Sequence, residues 1–469
     1  MTEFDVIVVG AGPVGENVAD YAVRGGLSAA IVESELVGGE CSYWACMPSK
    51  ALLRTPAAVA AARRLPGVTA EFDPAAVLRR RDEIAAHWRD DGQVKWAEGA
   101  GITVLRGVGR LAGDRTVAVT GRDGTVAEHR ARRAVVVCTG SVPVRPPVPG
   151  LDGVRPWFSR DVTSASEVPA RLGVLGGGVV GVEMAQAWAR LGSRVTLLSR
   201  ETLLPSMEPV AGERVADGLR ADGVDVRLNT GLDSVAPGPA DGEIELRTGG
   251  GTVVVDRLLL ATGRRPNTAD VGLASVGLPE DGPLRVDDSG RAAGEGAPDW
   301  LYAAGDVTGR APLTHQGKYE ARIAGAAIVA RARGAAAEPE PWGEYAATAD
   351  HAAVPQVVFS DPEVAFVGRT ERAARADGLA VRTIDLELSV AGTYLHAQDY
   401  SGAVRAVVDT AREVLVGVTF VGPDVAELLH AATVAVVGEV PLSRLWHAVP
   451  AYPTISEVWL RLLEAYRAG

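Results

Sequence analysis

Cys41 and Cys46 are the residues of this chain best suited to chemistry. They are two of only three cysteines in 469 residues and stand five positions apart in Gly38-Gly39-Glu40-Cys41-Ser42-Tyr43-Trp44-Ala45-Cys46-Met47-Pro48-Ser49-Lys50. A thiol pair at this spacing has three readings: a redox-active disulfide, half of a zinc site, or two buried cysteines without function. Three cysteines cannot build the disulfide framework of a small secreted protein. Cys138 and seven scattered histidines supply no second ligand pair at recognisable spacing, so no metal centre is expected. In a regular helix, residues five apart are separated by roughly 8 Å between Cα atoms. Bridged cysteines rarely exceed about 7 Å. If the pair closes, the segment is therefore tightened or irregular, as at a helix start.

Two glycine-rich turns, which begin 166 residues apart, carry the second kind of chemistry. The first lies in Val6-Ile7-Val8-Val9-Gly10-Ala11-Gly12-Pro13-Val14-Gly15, the second in Leu172-Gly173-Val174-Leu175-Gly176-Gly177-Gly178-Val179-Val180-Gly181. G-x-G-x-x-G spacing alone is weak evidence, but here each turn follows an apolar strand and opens an alanine-rich helix. Glycine lets the backbone approach a pyrophosphate, and the helix N-terminus offers partial positive charge and unpaired N–H groups. Gly10, Gly12 and Gly15, and then Gly176, Gly178 and Gly181, are therefore cofactor candidates. Eighteen residues after Gly15 the second strand ends at Glu33, whose carboxylate suits a ribose diol; a dinucleotide with a free 2′-OH, such as FAD, fits. The same offset from Gly181 falls on Ser199, followed by Arg200. A neutral residue beside a guanidinium suits a 2′-phosphate, which points to NADPH ahead of NADH; an ordinary surface arginine is the alternative.

The elements that position these groups imply several domains, since the chain is too long for one ordinary core. Arg145-Pro146-Pro147-Val148-Pro149-Gly150 cannot continue a helix or a central strand and reads as a linker. From about Pro355, valine-rich runs such as Val357-Val358-Phe359 and Val414-Leu415-Val416-Gly417-Val418 alternate with helical segments, as in an α+β unit. Residues 334–341 read as an exposed loop. A net charge of −12 argues against nucleic acid or an anionic membrane surface as the main partner. No apolar run is long enough to span a bilayer, and no basic region precedes the first strand, so a cytoplasmic location is expected.

Taken in order, these motifs resemble the pyridine nucleotide-disulfide oxidoreductases of the glutathione reductase, lipoamide dehydrogenase and mercuric reductase group, over essentially the whole chain. The Cys-x4-Cys-x-Pro-Ser-Lys segment after a fingerprint and Glu33 carries most of the likeness. Val136-Val137-Cys138-Thr139-Gly140-Ser141 resembles the strand that closes the first FAD segment, with Cys138 structural. Ala261-Thr262-Gly263-Arg264-Arg265-Pro266-Asn267 resembles the exit from the nicotinamide domain. Tyr302-Ala303-Ala304-Gly305-Asp306-Val307 resembles the second FAD segment, and His315 falls in the helix that follows. Pro355-Gln356-Val357-Val358-Phe359-Ser360-Asp361-Pro362-Glu363 and Val421-Gly422-Pro423 resemble the interface domain.

The resemblance implies an α/β fold with two Rossmann-like domains, one for FAD (1–150 and 267–345) and one for NAD(P) (151–266), plus a C-terminal α+β dimerisation domain (346–469). It implies a homodimer acting on a small-molecule substrate. It assigns Cys41 as the thiol that meets substrate, Cys46 as the thiol nearest the flavin, and Lys50 paired with Glu183 beside flavin N5. Thr139, Gly140, Asp306 and His315 join Gly10, Gly12, Gly15 and Glu33 as FAD contacts, and Gly263 joins the nicotinamide set. The activity implied is electron transfer from NAD(P)H through FAD to the disulfide and on to a disulfide or related thiol substrate, or dithiol oxidation in reverse. Quinone or mercuric-type metal-ion reduction is the alternative; a non-catalytic flavoprotein subunit or redox sensor is a reading of another class.

The chain departs from the family near its C-terminus. Where the family reads His-x-His-Pro-Thr-x-x-Glu, with a histidine base reaching the partner subunit's thiols, this chain has Pro450-Ala451-Tyr452-Pro453-Thr454-Ile455-Ser456-Glu457. Tyr452 takes the histidine's place and Glu457 remains. A phenol titrates near about 10 and an imidazole near about 6.5, a handicap of roughly 5 kcal/mol for a base at neutral pH. His447, five residues upstream, is a candidate substitute, against the plainer reading of packing. Mercuric reductase also carries tyrosine at this place, but it ends in a cysteine pair that this chain lacks. Tyr43 and Trp44, between the thiols, replace the smaller residues the family favours, and either stack on a planar substrate or pack beneath the flavin.

Overall fold

The computed structural model describes residues 1–469 and divides into two compact units. The first comprises Met1–Pro48, Asp82–Val144 and Arg264–Asp350; the second comprises Ser49–Arg81, Arg145–Gly263 and His351–Gly469. The fold is α/β, as the paired fingerprints predict: each unit contains a Rossmann-type sheet built on parallel strands, and the C-terminal segment forms a separate antiparallel sheet.

The first unit is built on a seven-stranded sheet. Strands β1 (Thr2–Val9), β2 (Ala29–Glu33), β3 (Ile102–Arg106), β4 (Val108–Leu111), β5 (Thr116–Thr120) and β6 (Val126–Val137) lie in the order β3-β2-β1-β6-β5-β4. Leu301–Ala303 adds in parallel to the end of β6, with Tyr302 opposite Val136. The central strands are continuous apolar runs because both faces are covered, one by helix residues such as Val18, Ala22 and Ala321 and the other by Val117, Leu284 and Trp300 from a strand and loops; Val6, Ile7, Val8, Val135 and Val136 are fully buried. Helix α1 (Pro13–Arg24) lies along the helix Thr314–Ala332. Gly325 faces Tyr21 so closely that a Cβ there would fall 2.6 Å from the Tyr21 Cβ.

In the second unit a four-stranded parallel sheet orders Asp225–Arg227, Arg194–Leu198, Arg171–Leu175 and Arg257–Leu260. The helix Val179–Arg190 packs on it through the fully buried Trp188. A five-stranded antiparallel sheet (Pro355–Val358, Glu363–Gly368, Val414–Gly422, Ala403–Asp409, Val381–Glu387) forms the C-terminal segment. Val358, Val364 and Val421 of this sheet share one apolar core with Trp188, Val182 and Leu52.

Asp361, in the turn before Glu363–Gly368, ties that sheet to the helix. Its carboxylate accepts from Arg64 Nη2 at 2.6 Å and Arg190 Nη2 at 2.7 Å. Its backbone N–H donates to Gln186 Oε1 at 2.7 Å, and its carbonyl accepts from Gln186 Nε2 at 2.9 Å. Burial raises the Asp361 carboxyl, but the bonds from Arg64 and Arg190 outweigh it and hold the group below the usual carboxylate range. A depressed folded-state pKa means that this contribution is complete above the unfolded value, about 4, and is lost as pH falls through the folded one. Asp361→Ala leaves two largely buried guanidinium groups without their carboxylate and should destabilise the protein by about 3 kcal/mol. A denaturant midpoint unchanged from wild type at neutral pH would show that the anchor contributes nothing.

Candidate functional site

In the first unit the turn after β1 is as tight as a phosphate loop needs to be. Gly10 has φ +101°, and a Cβ on it would fall 2.4 Å from the Cys138 carbonyl oxygen; a Cβ on Gly15 would fall 1.9 Å from the Gly10 oxygen. Gly12 caps α1 without a side-chain hydrogen bond, leaving the first-turn N–H groups for a ligand. Glu33 closes the loop from the far side: Oε2 accepts from Ala11 N at 2.9 Å and Oε1 from Glu35 N at 2.7 Å. Burial raises the Glu33 carboxyl, and these two bonds oppose the rise. Beside Glu33 a cavity of about 470 Å³ is lined by Ser34, Glu35, Trp88, Arg89 and Arg106 among others. The uncapped helix start, the glycine turn and this cavity fit the pyrophosphate and adenosine of FAD.

Thr139, Gly140 and Asp306 are brought together at the end of the same sheet. Thr139 Oγ1 donates to the Asn267 carbonyl at 2.6 Å, and Asn267 N donates to the Gly140 carbonyl at 2.9 Å. Ser141 Oγ donates to Asp306 Oδ2 at 2.6 Å and accepts from Arg264 Nε at 2.8 Å. Arg264 Nη2 also reaches Glu40 at 3.3 Å, one residue before Cys41. His315 is exposed in the first turn of Thr314–Ala332. Cys138 is buried among apolar side chains, and burial pushes its thiol well up, as an inert structural cysteine requires.

The thiol segment is a broken helix. Helix α2 (Gly39–Tyr43) stops at Trp44, where both Trp44 N and Ala45 N donate to the Glu40 carbonyl at 2.8 and 2.7 Å; helix α3 (Cys46–Arg63) then starts at the second cysteine. The interruption brings the two side chains within hydrogen-bond reach of each other. Cys46 Sγ lies 3.2 Å from Thr314 Oγ1. The bond from Cys46 and burial push the Cys41 thiol up, while Thr314 and the Lys318 charge pull it down. Tyr43 is buried with its hydroxyl on the Val37 carbonyl at 3.0 Å and its own carbonyl on Trp88 Nε1 at 3.1 Å. It packs, and is not available to stack on a substrate.

The second unit repeats the phosphate loop. A Cβ on Gly176 would fall 2.3 Å from the Ala261 oxygen and one on Gly181 1.9 Å from the Gly176 oxygen, and Gly178 caps the following helix without a side-chain bond. Ser199 is buried against Gly177, Arg200 is exposed, and Gly263 follows the strand Arg257–Leu260 with φ +110°. On the helix, Glu183 is buried and joins two partners: Lys50 Nζ donates to Oε2 at 2.7 Å, and Phe359 N donates to Oε1 at 3.0 Å. The Lys50 ammonium also stands 5.0 Å from the Phe359 ring centroid. At the C-terminus Tyr452 is 77 % exposed and His447 is exposed. Glu457 Oε1 accepts from Arg461 Nη2 at 2.5 Å, and its Oε2 is buried with no hydrogen-bond partner.

Residues 4–326 match the family model described as pyridine nucleotide-disulphide oxidoreductase, and residues 354–463 match that family's dimerisation domain. The chain belongs to the pyridine nucleotide-disulphide oxidoreductases. This oxidoreductase is an FAD-binding enzyme that passes electrons to a disulfide or thiol substrate. It is 34% identical to a mercuric reductase of Acidithiobacillus ferrooxidans, covering 97% of this chain and 81% of the relative. It is also 34% identical to a dihydrolipoyl dehydrogenase of Chlorobaculum tepidum, covering 97% and 95%. Among solved structures, the Cu(II) complex of RclA, an HOCl-induced flavoprotein disulfide reductase of Escherichia coli, superposes with a TM-score of 0.82 at 25% identity over 99% of both chains. LpdA of Mycobacterium tuberculosis gives 0.82 at 26% identity, again over 99% of both. No helix of this oxidoreductase is long and apolar enough to cross a membrane.

Thr314 meets Cys46, Lys318 acts on Cys41 and Phe359 meets the Lys50–Glu183 pair, yet no motif in the sequence points to any of the three. Each lies far along the chain from the group it acts on, and none sits at a spacing that announces it. The matched geometry of the two loops predicts separable losses. Gly15→Ala should yield protein without bound flavin, and Gly181→Ala should keep the flavin while raising the KM for the nicotinamide nucleotide at least about tenfold. Visible absorption of the purified variants and steady-state kinetics check this; Gly15→Ala that retains flavin would refute the loop assignment.

Proposed function

We propose that this protein is an NADPH-dependent reductase in which the Cys41–Cys46 pair carries electrons to a small disulfide, without a histidine base from the C-terminal segment. The observation that carries this reading is the broken helix, which sets the two thiols within hydrogen-bond reach of each other and Cys46 against Thr314. Bound FAD supplies the two-electron relay between a nicotinamide and the thiol pair. Lys50 and Glu183 form a 2.7 Å ion pair whose lysine is suited to negative charge on a reduced flavin, with the carboxylate holding it in place.

Residues 1–150 and 267–345 would hold FAD and residues 151–266 the nucleotide, while 346–469 would pair with a second copy, as the family's dimerisation domain supports. Cys41 attacks one sulfur of the substrate as its thiolate, forming a mixed disulfide and expelling the other half as a thiolate. The Cys46 thiolate then attacks the Cys41 sulfur, closing the protein disulfide and expelling the second half. Solvent protonates the two products. Tyr452, exposed and phenolic, is not suited to hold that proton.

Ser199 and the exposed Arg200 favour NADPH, since a guanidinium suits a 2′-phosphate and a neutral neighbour does not repel it. A second reading is reduction of a thiophilic metal ion, supported by the exposed tyrosine at 452 and by likeness to a mercuric reductase and to a reductase solved as a Cu(II) complex.

NADPH should reduce the visible flavin band faster and at lower concentration than NADH, and Arg200→Glu should reverse that order; stopped-flow preference for NADH in the wild type would defeat the assignment. Tyr452→His should raise turnover with a small disulfide at least about tenfold, the usual worth of a well-placed base being about 100-fold or more. Unchanged turnover would make Tyr452 a surface residue.

A further inference from the structure

Two charged residues on the helices packed around the thiol segment, Lys318 and Glu16, have no part in the mechanism above. The helix Thr314–Ala332 presents Thr314 to Cys46 and carries Lys318 one turn further on. Lys318 is exposed, and its ammonium acts on Cys41 in favour of the thiolate. Helix α1 packs along the same helix: a Cβ on Gly317, next to Lys318, would fall 2.6 Å from Val14 Cγ2. Two residues on from Val14, Glu16 is 7% exposed, and its Oε1 has no hydrogen-bond partner. Burial raises the Glu16 carboxyl to about 7; Lys318 opposes the rise and Glu33 of β2 adds to it. The Glu16 charge is felt in turn by Tyr43 of α2, two residues after Cys41.

Helices α1, α2 and Thr314–Ala332 thus converge around the thiol segment. The groups acting on Cys41 are Cys46, Thr314 and Lys318, and those acting on Glu16 are Lys318 and Glu33. We propose that Lys318 is a positioning residue of the thiol site which stabilises the Cys41 thiolate, and that Glu16 sets how much of the Lys318 charge that thiol feels. The inference rests on the thiol-pair reading and deepens it. With no histidine in the C-terminal motif to take the Cys41 proton, the thiolate must be favoured by charge within its own subunit. When Glu16 is ionised its charge offsets Lys318, and when it is protonated Lys318 acts on the thiol unopposed. The two side chains therefore have opposite effects on one sulfur, which packing roles would not produce.

The test is the rate at which iodoacetamide alkylates Cys41 in the NADPH-reduced holoenzyme, followed by mass spectrometry from about pH 5 to about pH 9, because only the thiolate reacts. Near neutral pH, Lys318→Met should slow alkylation about three- to tenfold, and Glu16→Gln should speed it by a similar factor. The flavin spectrum of each variant, unchanged from wild type, shows that the fold is intact. If both variants match wild type, or both move the rate in one direction, the assignment of Lys318 and Glu16 is overturned while the thiol-pair reading stands. If NADPH exposes no alkylatable Cys41 in the wild type, that reading fails and takes this inference with it.

Discussion

The helix interruption at Trp44–Ala45 is the constraint on which the redox reading depends. Continued as one helix, residues 39–63 would hold the Cα atoms of the two cysteines roughly 8 Å apart, beyond the usual reach of a disulfide. The break is held from both ends. Gly38 and Gly39 take positive φ values of 110° and 58°, and a Cβ on Gly39 would fall 2.7 Å from the Gly12 Cα, which presses α2 against the phosphate loop. At the other end, buried Tyr43 is pinned by its hydroxyl to Val37 and by its carbonyl to Trp88. The bulky residue between the thiols thus acts as a rivet for the turn that brings them together.

The second unit fixes a charge by comparable means. Glu183 is almost wholly buried, a position where an unpaired carboxylate would be costly, and Lys50 and the Phe359 N–H each occupy one of its oxygens. The turn that supplies the Phe359 N–H is itself anchored by Asp361 to Gln186 and Arg190 on the helix that carries Glu183. Helix, turn and ion pair therefore form one assembly, and a lysine that would otherwise sample many rotamers is held to one direction. The duplicated phosphate loops show the same economy, with the two closest approaches differing by no more than 0.1 Å between Gly10 and Gly176 or between Gly15 and Gly181.

Local chemistry was legible from the residues alone. Gly10, Gly15, Gly176 and Gly181 announce themselves because a phosphate loop needs glycine at fixed short spacing, and Glu33 because strand length sets its offset. The requirement for an irregular segment between Cys41 and Cys46 follows from helix rise. The Lys50–Glu183 pair spans 133 residues and was reachable only through family resemblance. Thr314 meets Cys46 across 268 residues, and Glu16 and Lys318 lie on separate helices, where helical periodicity reads Glu16 as an ordinary first-turn acid. Such contacts are set by how helices dock, which a single sequence does not encode in any short pattern. The aromatic pair shows the converse: two readings of Tyr43 were open until its buried hydroxyl bond decided for packing.

Tyr452 is exposed, Glu457 is bound to Arg461 and the C-terminal motif holds no imidazole, so the proposed reactivity is placed on the thiol pair. The most direct test is a count of alkylatable cysteines in the denatured holoenzyme, quenched before and after anaerobic addition of NADPH. Cys41 and Cys46 should be unlabelled in the oxidised enzyme and become labelled together after NADPH, with Cys138 labelled in both samples. Full labelling of Cys41 and Cys46 before reduction, or no gain after it, would contradict a redox disulfide fed by the flavin.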